Sequence, residues 1–181
     1  MLKLQDNPPM KPQDWPRLAD VPGRWYVAHT KARREKALAW ALAAQGVPYF
    51  LPMTERLTCN RGRRFRSWLP LFGGYVFFAG DRQARHRALA TRHVAGVLNV
   101  VDRDRFLAEL SQIEQALDGG GRLDPCPSIG HGSLCRVRCG PFAGLEGVVV
   151  RKNFTRLLLQ VEMLGQAAAL EIDSSLLEPA A

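Results

Sequence analysis

The sequence has no apolar run close to the ~20 residues a helix needs to cross a bilayer. Its first 22 residues hold no continuous apolar segment of the kind a secretion signal requires. Both absences point to a cytoplasmic protein with no membrane partner. There are only four cysteines, Cys59, Cys126, Cys135 and Cys139, too few and too irregularly spaced for a disulfide framework, in keeping with a reducing compartment. Four histidines, His29, His86, His93 and His131, are scattered. No glycine-rich loop leads into a helix to hold phosphate, and no acid, base and nucleophile cluster together. These gaps argue against an enzyme and against a bound cofactor. Cys126, His131, Cys135 and Cys139 can be written as a zinc set, but they lack the Cys-x2-Cys knuckle of structural zinc sites. Cys135, Val137 and Cys139 alternate along one strand face, so small core residues are the better reading and no metal is expected.

Acidic residues are scarce where basic ones are dense. Residues 24–92 carry 14 Lys or Arg against three acids, whereas residues 119–181 balance six against six, within a net charge of +8. A cationic surface of that density attracts polyanions, nucleic acid first and acidic lipid headgroups second. The bland alternative is a soluble, arginine-rich surface.

Met1 to Gly23 contains five of the 12 prolines and no periodic pattern, so residues 1–23 form an irregular extension with the look of a mobile segment. Arg24 to Thr30 reads as a strand of large residues. Lys31 to Gln45 has helical spacing at Ala37, Leu38, Ala41 and Leu42, with Gly46 as its stop. On its other side Arg33, Lys36 and Trp40 form either a solvated face or a contact with nucleic acid. A β-hairpin follows, with Gly62 at the turn and Arg61, Arg63, Arg64 and Arg66 crowded at its tip. Such a cluster repels itself unless a polyanion is near.

Leu69 to Phe78 reads as one extended stretch with bulky apolar side chains on both sides, Val76 and Phe78 facing one way, Tyr75 and Phe77 the other. One face packs under helices. The second is either another internal layer or a docking surface. A helix over Asp81 to Ala90, with Asp81 as N-cap, a short strand near Val97 to Val101 and a helix over Arg105 to Leu117 complete a β-α-β-β-α-β-α order. That order predicts an α+β sandwich over residues 24–118, an antiparallel sheet with helices on one face. Residues 119–130 read as a flexible linker. Short strand-like runs over residues 131–181 predict a small β-barrel.

Together these features resemble the NusG family of transcription elongation factors. Trp25-Tyr26-Val27, Glu35 and Leu71-Phe72-Gly73-Gly74-Tyr75-Val76-Phe77 are similar to the family's N-terminal (NGN) domain. Gly132 to Val149, with Gly140-Pro141-Phe142-Ala143-Gly144 at its centre, is similar to the KOW motif of its C-terminal SH3-like barrel. The resemblance implies a non-enzymatic accessory subunit of RNA polymerase that sits across the DNA channel, suppresses pausing and promotes antitermination. It implies docking on the clamp helices of the polymerase's largest subunit through Tyr75 and Phe77, with Phe72 beside them.

Specialised antiterminators of the RfaH kind also read the non-template DNA strand. That implies DNA contacts for Lys31, Arg33 and Lys36 and for the hairpin arginines Arg61, Arg63, Arg64 and Arg66. The family's proline before the aromatic strand is replaced here by Gly73. His86 is the counterpart of an element contacting the second-largest subunit. In the KOW domain Phe142 matches a partner-facing aromatic and Leu164 replaces a second one, which bears on binding to ribosomal protein NusE or to Rho. The long basic hairpin and the proline-bearing extension suggest an operon-specific paralogue. The rival reading is a KOW-type RNA- or ribosome-binding protein without polymerase contact. A nuclease stands third.

Overall fold

Strand β1 (Arg24–Thr30) joins aromatic and β-branched residues of high strand preference, and it lies inside a four-stranded sheet rather than at its edge. The structure is a computed structural model describing residues 6–12, 14–15, 17–60, 63–126, 132–151 and 155–180. The chain divides into two compact units, Met1–Arg103 and Asp104–Ala181.

In the first unit β1 is followed by α1 (Glu35–Ala44), β2 (Tyr49–Phe50), β3 (Met53–Asn60), β4 (Arg63–Pro70), β5 (Tyr75–Gly80), α2 (Arg82–Ala90) and β6 (Val94–Asn99). The sheet order is β2-β5-β1-β6, with every pairing antiparallel, and β3 and β4 form a separate hairpin. Register places Tyr26 opposite Phe78, Val27 opposite Phe77, Ala28 opposite Val76 and His29 opposite Tyr75. Because directly opposed residues share a face, Tyr26, Ala28, Val76 and Phe78 line one side. They pack there with Leu38, Ala39 and Leu42 of α1 and with Ala84 and Ala88 of α2. The rings of Tyr26 and Phe78 stack at 5.1 Å. Asp81 caps α2 as its sequence position predicts, accepting the Ala84 N–H at 2.8 Å.

Several boundaries differ from the sequence expectation. The first helix begins at Glu35, not Lys31, because Arg33 takes a left-handed backbone (φ 58°) that ends helical geometry. The apolar stretch from Leu69 is two elements: β4 ends at Pro70, and a turn containing Gly74 (φ 84°) intervenes before β5. Glu35 fastens that turn by accepting the Gly74 N–H at 2.8 Å.

The extension is irregular in backbone but packed. Leu18 and Val21 are buried, and Met10 lies against the core of the sheet. The Met10 carbonyl accepts the Leu51 N–H at 2.7 Å, and the Pro9 carbonyl accepts the Tyr49 hydroxyl at 2.9 Å. Prolines suit such a strap, since they need no donor partner and stiffen an extended path.

The second unit holds α3 (Arg103–Asp118, apart from its first residue), β7 (Leu123–Cys126), β8 (Ser133–Val137), β9 (Glu146–Arg151), β10 (Thr155–Val161), β11 (Gln166–Glu171) and β12 (Leu177–Pro179). These strands form a six-stranded antiparallel sheet ordered β12-β8-β9-β10-β11-β7. Fold class is thus as expected, α+β followed by a β unit. The compact units, however, divide near residue 103, whereas the sequence suggested 118. The cause is visible in α3. Gln112 accepts the Glu146 N–H at 2.7 Å, Gln115 donates to the Ala143 carbonyl at 2.9 Å, and Arg105 pairs with Glu162. The segment expected as linker also contains β7, whose Leu123 is buried and whose backbone pairs with β11. Pro125 is tolerated because β7 is an edge strand.

Candidate functional site

Val27, Phe77, His29 and Tyr75 lie on the sheet face opposite α1 and α2 by register. That face is not uniformly open. Phe77 is fully buried, with Phe72 edge-on at 6.0 Å and Phe50 stacked at 6.3 Å. Phe72 is buried as well. Both are therefore core residues in this structure, a correction to the expectation that they form a docking patch. Tyr75 remains half-buried, its ring tilted over exposed His29 at 5.3 Å. On the neighbouring strand Leu98 pairs with Val27, so it shares this face, and it is 46% exposed. The accessible part of the aromatic face is thus Tyr75, His29 and Leu98. Leu98 gave no signal in the sequence, since only strand pairing brings it beside Val27.

The basic residues separate into three groups. Lys31 and Arg33 are exposed on the turn between β1 and α1, with Arg34 beside them. The Lys31 N–H donates to the His93 carbonyl at 2.8 Å, joining this turn to the one that carries exposed Arg92. Arg33 and Arg92 are the two non-glycine residues with positive φ, 58° and 62°, among the described residues. Left-handed backbone at a long side chain costs of order 1 kcal/mol and clusters at working surfaces. Arg34 and Arg92 were missed from sequence because their proximity depends on that hydrogen bond.

Arg64 and Arg66 are exposed on β4, two residues apart and so on one face of the hairpin. Arg66 Nε lies 3.4 Å from Glu55 across the strands, a solvent-exposed pair of little energetic weight. Arg63 opens β4, its side chain lying outside the described residues, as does Arg61 entirely. Lys36 belongs to neither surface. Its ammonium donates to Asn7 Oδ1 and to the Trp68 carbonyl, both at 2.5 Å, and burial pulls its pKa below the usual lysine value. It ties α1 to the extension and to β4 instead of offering a free charge to phosphate.

In the second unit Phe142 and Leu164 are half-buried. A Cβ on Gly119 or on Gly121 would lie 3.0 Å from the Phe142 ring, so that ring packs against the end of α3. Leu164 closes a 3-10 turn, Glu162–Leu164. His86 is exposed on α2. Of the cysteines set aside as zinc ligands, Cys126 and Cys135 are half-buried, and His131 lies outside the described residues. Cys139 is exposed beyond the end of β8, so it is not the core residue the strand alternation suggested. Among the described residues no helix is long and apolar enough to cross a membrane.

An α+β sandwich with a basic edge, followed by an all-antiparallel β unit, is the class the fold defines. The family model described as "Transcription termination factor nusG" matches residues 23–116, more than half of the chain. The chain belongs to the NusG family and is a NusG-type transcription factor. It is 25% identical over 172 residues to the "Transcription termination/antitermination protein NusG" of Pseudomonas aeruginosa, covering 86% of this chain and 97% of that protein. It is 26% identical over 177 residues to the protein of the same name from Xylella fastidiosa, covering 83% and 95%. The solved structure titled "Domain interaction in Thermotoga maritima NusG" shares the fold, with a TM-score of 0.51 at 18% identity over 87% of this chain and 97% of that one.

Proposed function

We propose that this protein binds RNA polymerase as an elongation and antitermination factor, docking through the accessible part of the aromatic face and following the non-template DNA strand with its basic edge. Two observations support the reading: membership of the NusG family, and an aromatic contact and a cationic turn at one end of one sheet. Tyr75 is the anchor, because a half-buried ring has area left to bury and is already oriented by His29. Leu98 extends the patch, while Phe77 and Phe72 support it from within. Lys31 and Arg33, with Arg34 and Arg92, supply phosphate contacts, and Arg64 and Arg66 extend them along the hairpin. Such contacts hold DNA in register, and operon specificity then rests on what the hairpin reads.

Phe142 and Leu164 are the KOW-domain residues through which NusE or Rho would bind, in competition with the packing of Phe142 on the glycines after α3. Single-round transcription over a template with pauses and terminators tests the reading. The wild type is expected to speed elongation and raise read-through, and Lys31→Glu/Arg33→Glu to lose the template-specific part. Salt-dependent RNA binding without any transcription effect would instead establish the RNA- or ribosome-binding alternative.

A further inference from the structure

A cavity of about 580 Å³ opens at the start of β1 and of α2, at the opposite end of β1 from the Lys31 turn. Arg24, Arg82, Arg85, His86 and Arg103 all contribute to its wall, and no carboxylate does among the described residues. Arg103 donates to the Val21 carbonyl. Arg24, Arg82 and Arg85 form no ion pair with a described residue. The Nε of Arg85 is buried and has no hydrogen-bond partner among the described residues. A buried guanidinium donor left without an acceptor is costly, because it has given up water for nothing.

Placement makes the arrangement less favourable still. Arg82 and Arg85 sit in the first turn of α2, where the helix dipole disfavours cations. The adjacent carboxylate, Asp81, accepts the Ala84 N–H as the helix cap. Like charges gathered round a concave wall, one of them with an unused buried donor, are stabilised by an anion in the space between them. A single inorganic phosphate is small against this volume, which falls within the range of small-molecule sites. Asn99, exposed and also in the wall, adds an amide that can hydrogen-bond a base edge.

We propose that this cavity binds the phosphate groups of a nucleotide, with Arg82 and Arg85 as the principal ligands and Arg24 beside them. The same chemistry is offered by a free nucleoside polyphosphate and by a nucleotide within a single strand. The inference stands on the cavity alone and is independent of polymerase docking.

The test is a titration of the full-length protein at low salt with ADP, with GTP, and with a fluorescent single-stranded oligodeoxynucleotide. It uses the wild type, Arg82→Gln, Arg85→Gln and the basic-edge variant Lys31→Gln/Arg33→Gln. Loss of one charge-assisted contact is expected to weaken binding by about ten- to a hundredfold in Arg82→Gln and Arg85→Gln. Saturable nucleotide binding that falls in these two variants and survives in the basic-edge variant identifies a free nucleotide as ligand. Oligonucleotide binding that falls in Arg82→Gln and Arg85→Gln, with no binding of either nucleotide, identifies a strand, whatever the basic-edge variant loses. Arg82 is exposed, so its variant keeps the fold even if Arg85→Gln does not. Binding of neither probe, or binding equally strong in Arg82→Gln, overturns the proposal.

Discussion

The ammonium of Lys36 donates to the carbonyl of Trp68 at 2.5 Å, and with its bond to Asn7 it clasps three segments that are 29 or more residues apart in sequence. Lys36→Met keeps the apolar stem and removes the charged donor, leaving the Trp68 carbonyl without it. The expected cost is about 1–3 kcal/mol, the range for leaving a buried hydrogen-bonding group without its partner. Amide exchange should quicken in β3 and β4 while the centre of the sheet is unaffected.

Tyr49 and Lys36 make opposite contributions to stability at alkaline pH. Burial pushes the Tyr49 phenol up to about 12 from 10.0. Between those values the folded protein holds the proton more tightly than the unfolded chain, so the stability this group contributes is present below 10 and is lost as pH rises toward 12. For Lys36, whose pKa burial lowers, the unfolded chain binds the proton more tightly in the window below 10.5, so its contribution rises with pH there. Denaturant melts across this range should show a shallower alkaline decline in Tyr49→Phe than in the wild type. The same substitution removes the hydroxyl bond to Pro9, at a cost near 1 kcal/mol at neutral pH.

Phe77 and Tyr75 are two residues apart on one face, yet they should behave differently. Phe77→Ala empties a fully buried site between Phe50 and Phe72 and is expected to cost about 3–5 kcal/mol. Tyr75→Ala removes a half-buried ring at the accessible end and should cost markedly less. Thermal unfolding of the two variants checks this. Equal losses would mean that Tyr75 is core too and no anchor.

Gly147 lies in β9 between β8 and β10. A Cβ there would approach the Leu158 carbonyl oxygen to 2.4 Å, a backbone atom that cannot swing aside. Gly147→Ala is therefore expected to force β9 and β10 apart at a cost of about 1–3 kcal/mol, the scale of overpacking in a tight core. Separate melting of the second unit would reveal it.

Much of the architecture was legible in the chain. The alternation at Tyr75 to Phe78, the cap at Asp81 and the strand-like runs after residue 131 are local patterns, and each gave its element within a few residues. What the sequence concealed was non-local. Whether an apolar face is open or covered depends on packing, so Phe72 and Phe77 looked like docking residues and are buried. Lys36 looked like a free cation because its acceptors, Asn7 and a backbone carbonyl, carry no sequence signature. The left-handed turn at Arg33 broke the helical pattern where composition alone favoured continuation. The arginine-lined cavity draws on β1, α2, β6 and Arg103, segments that only the fold brings together.

The central claim is that this chain acts on RNA polymerase through Tyr75. Its most direct measurement is single-round transcription by purified bacterial RNA polymerase, with the wild type and with Tyr75→Ala confirmed as folded by its melting curve. The account predicts faster elongation or greater terminator read-through with the wild type and loss of that effect in the variant. An undiminished effect in folded Tyr75→Ala would contradict the docking face. No effect of the wild type, on templates that include the host's own leader sequences, would contradict the function itself.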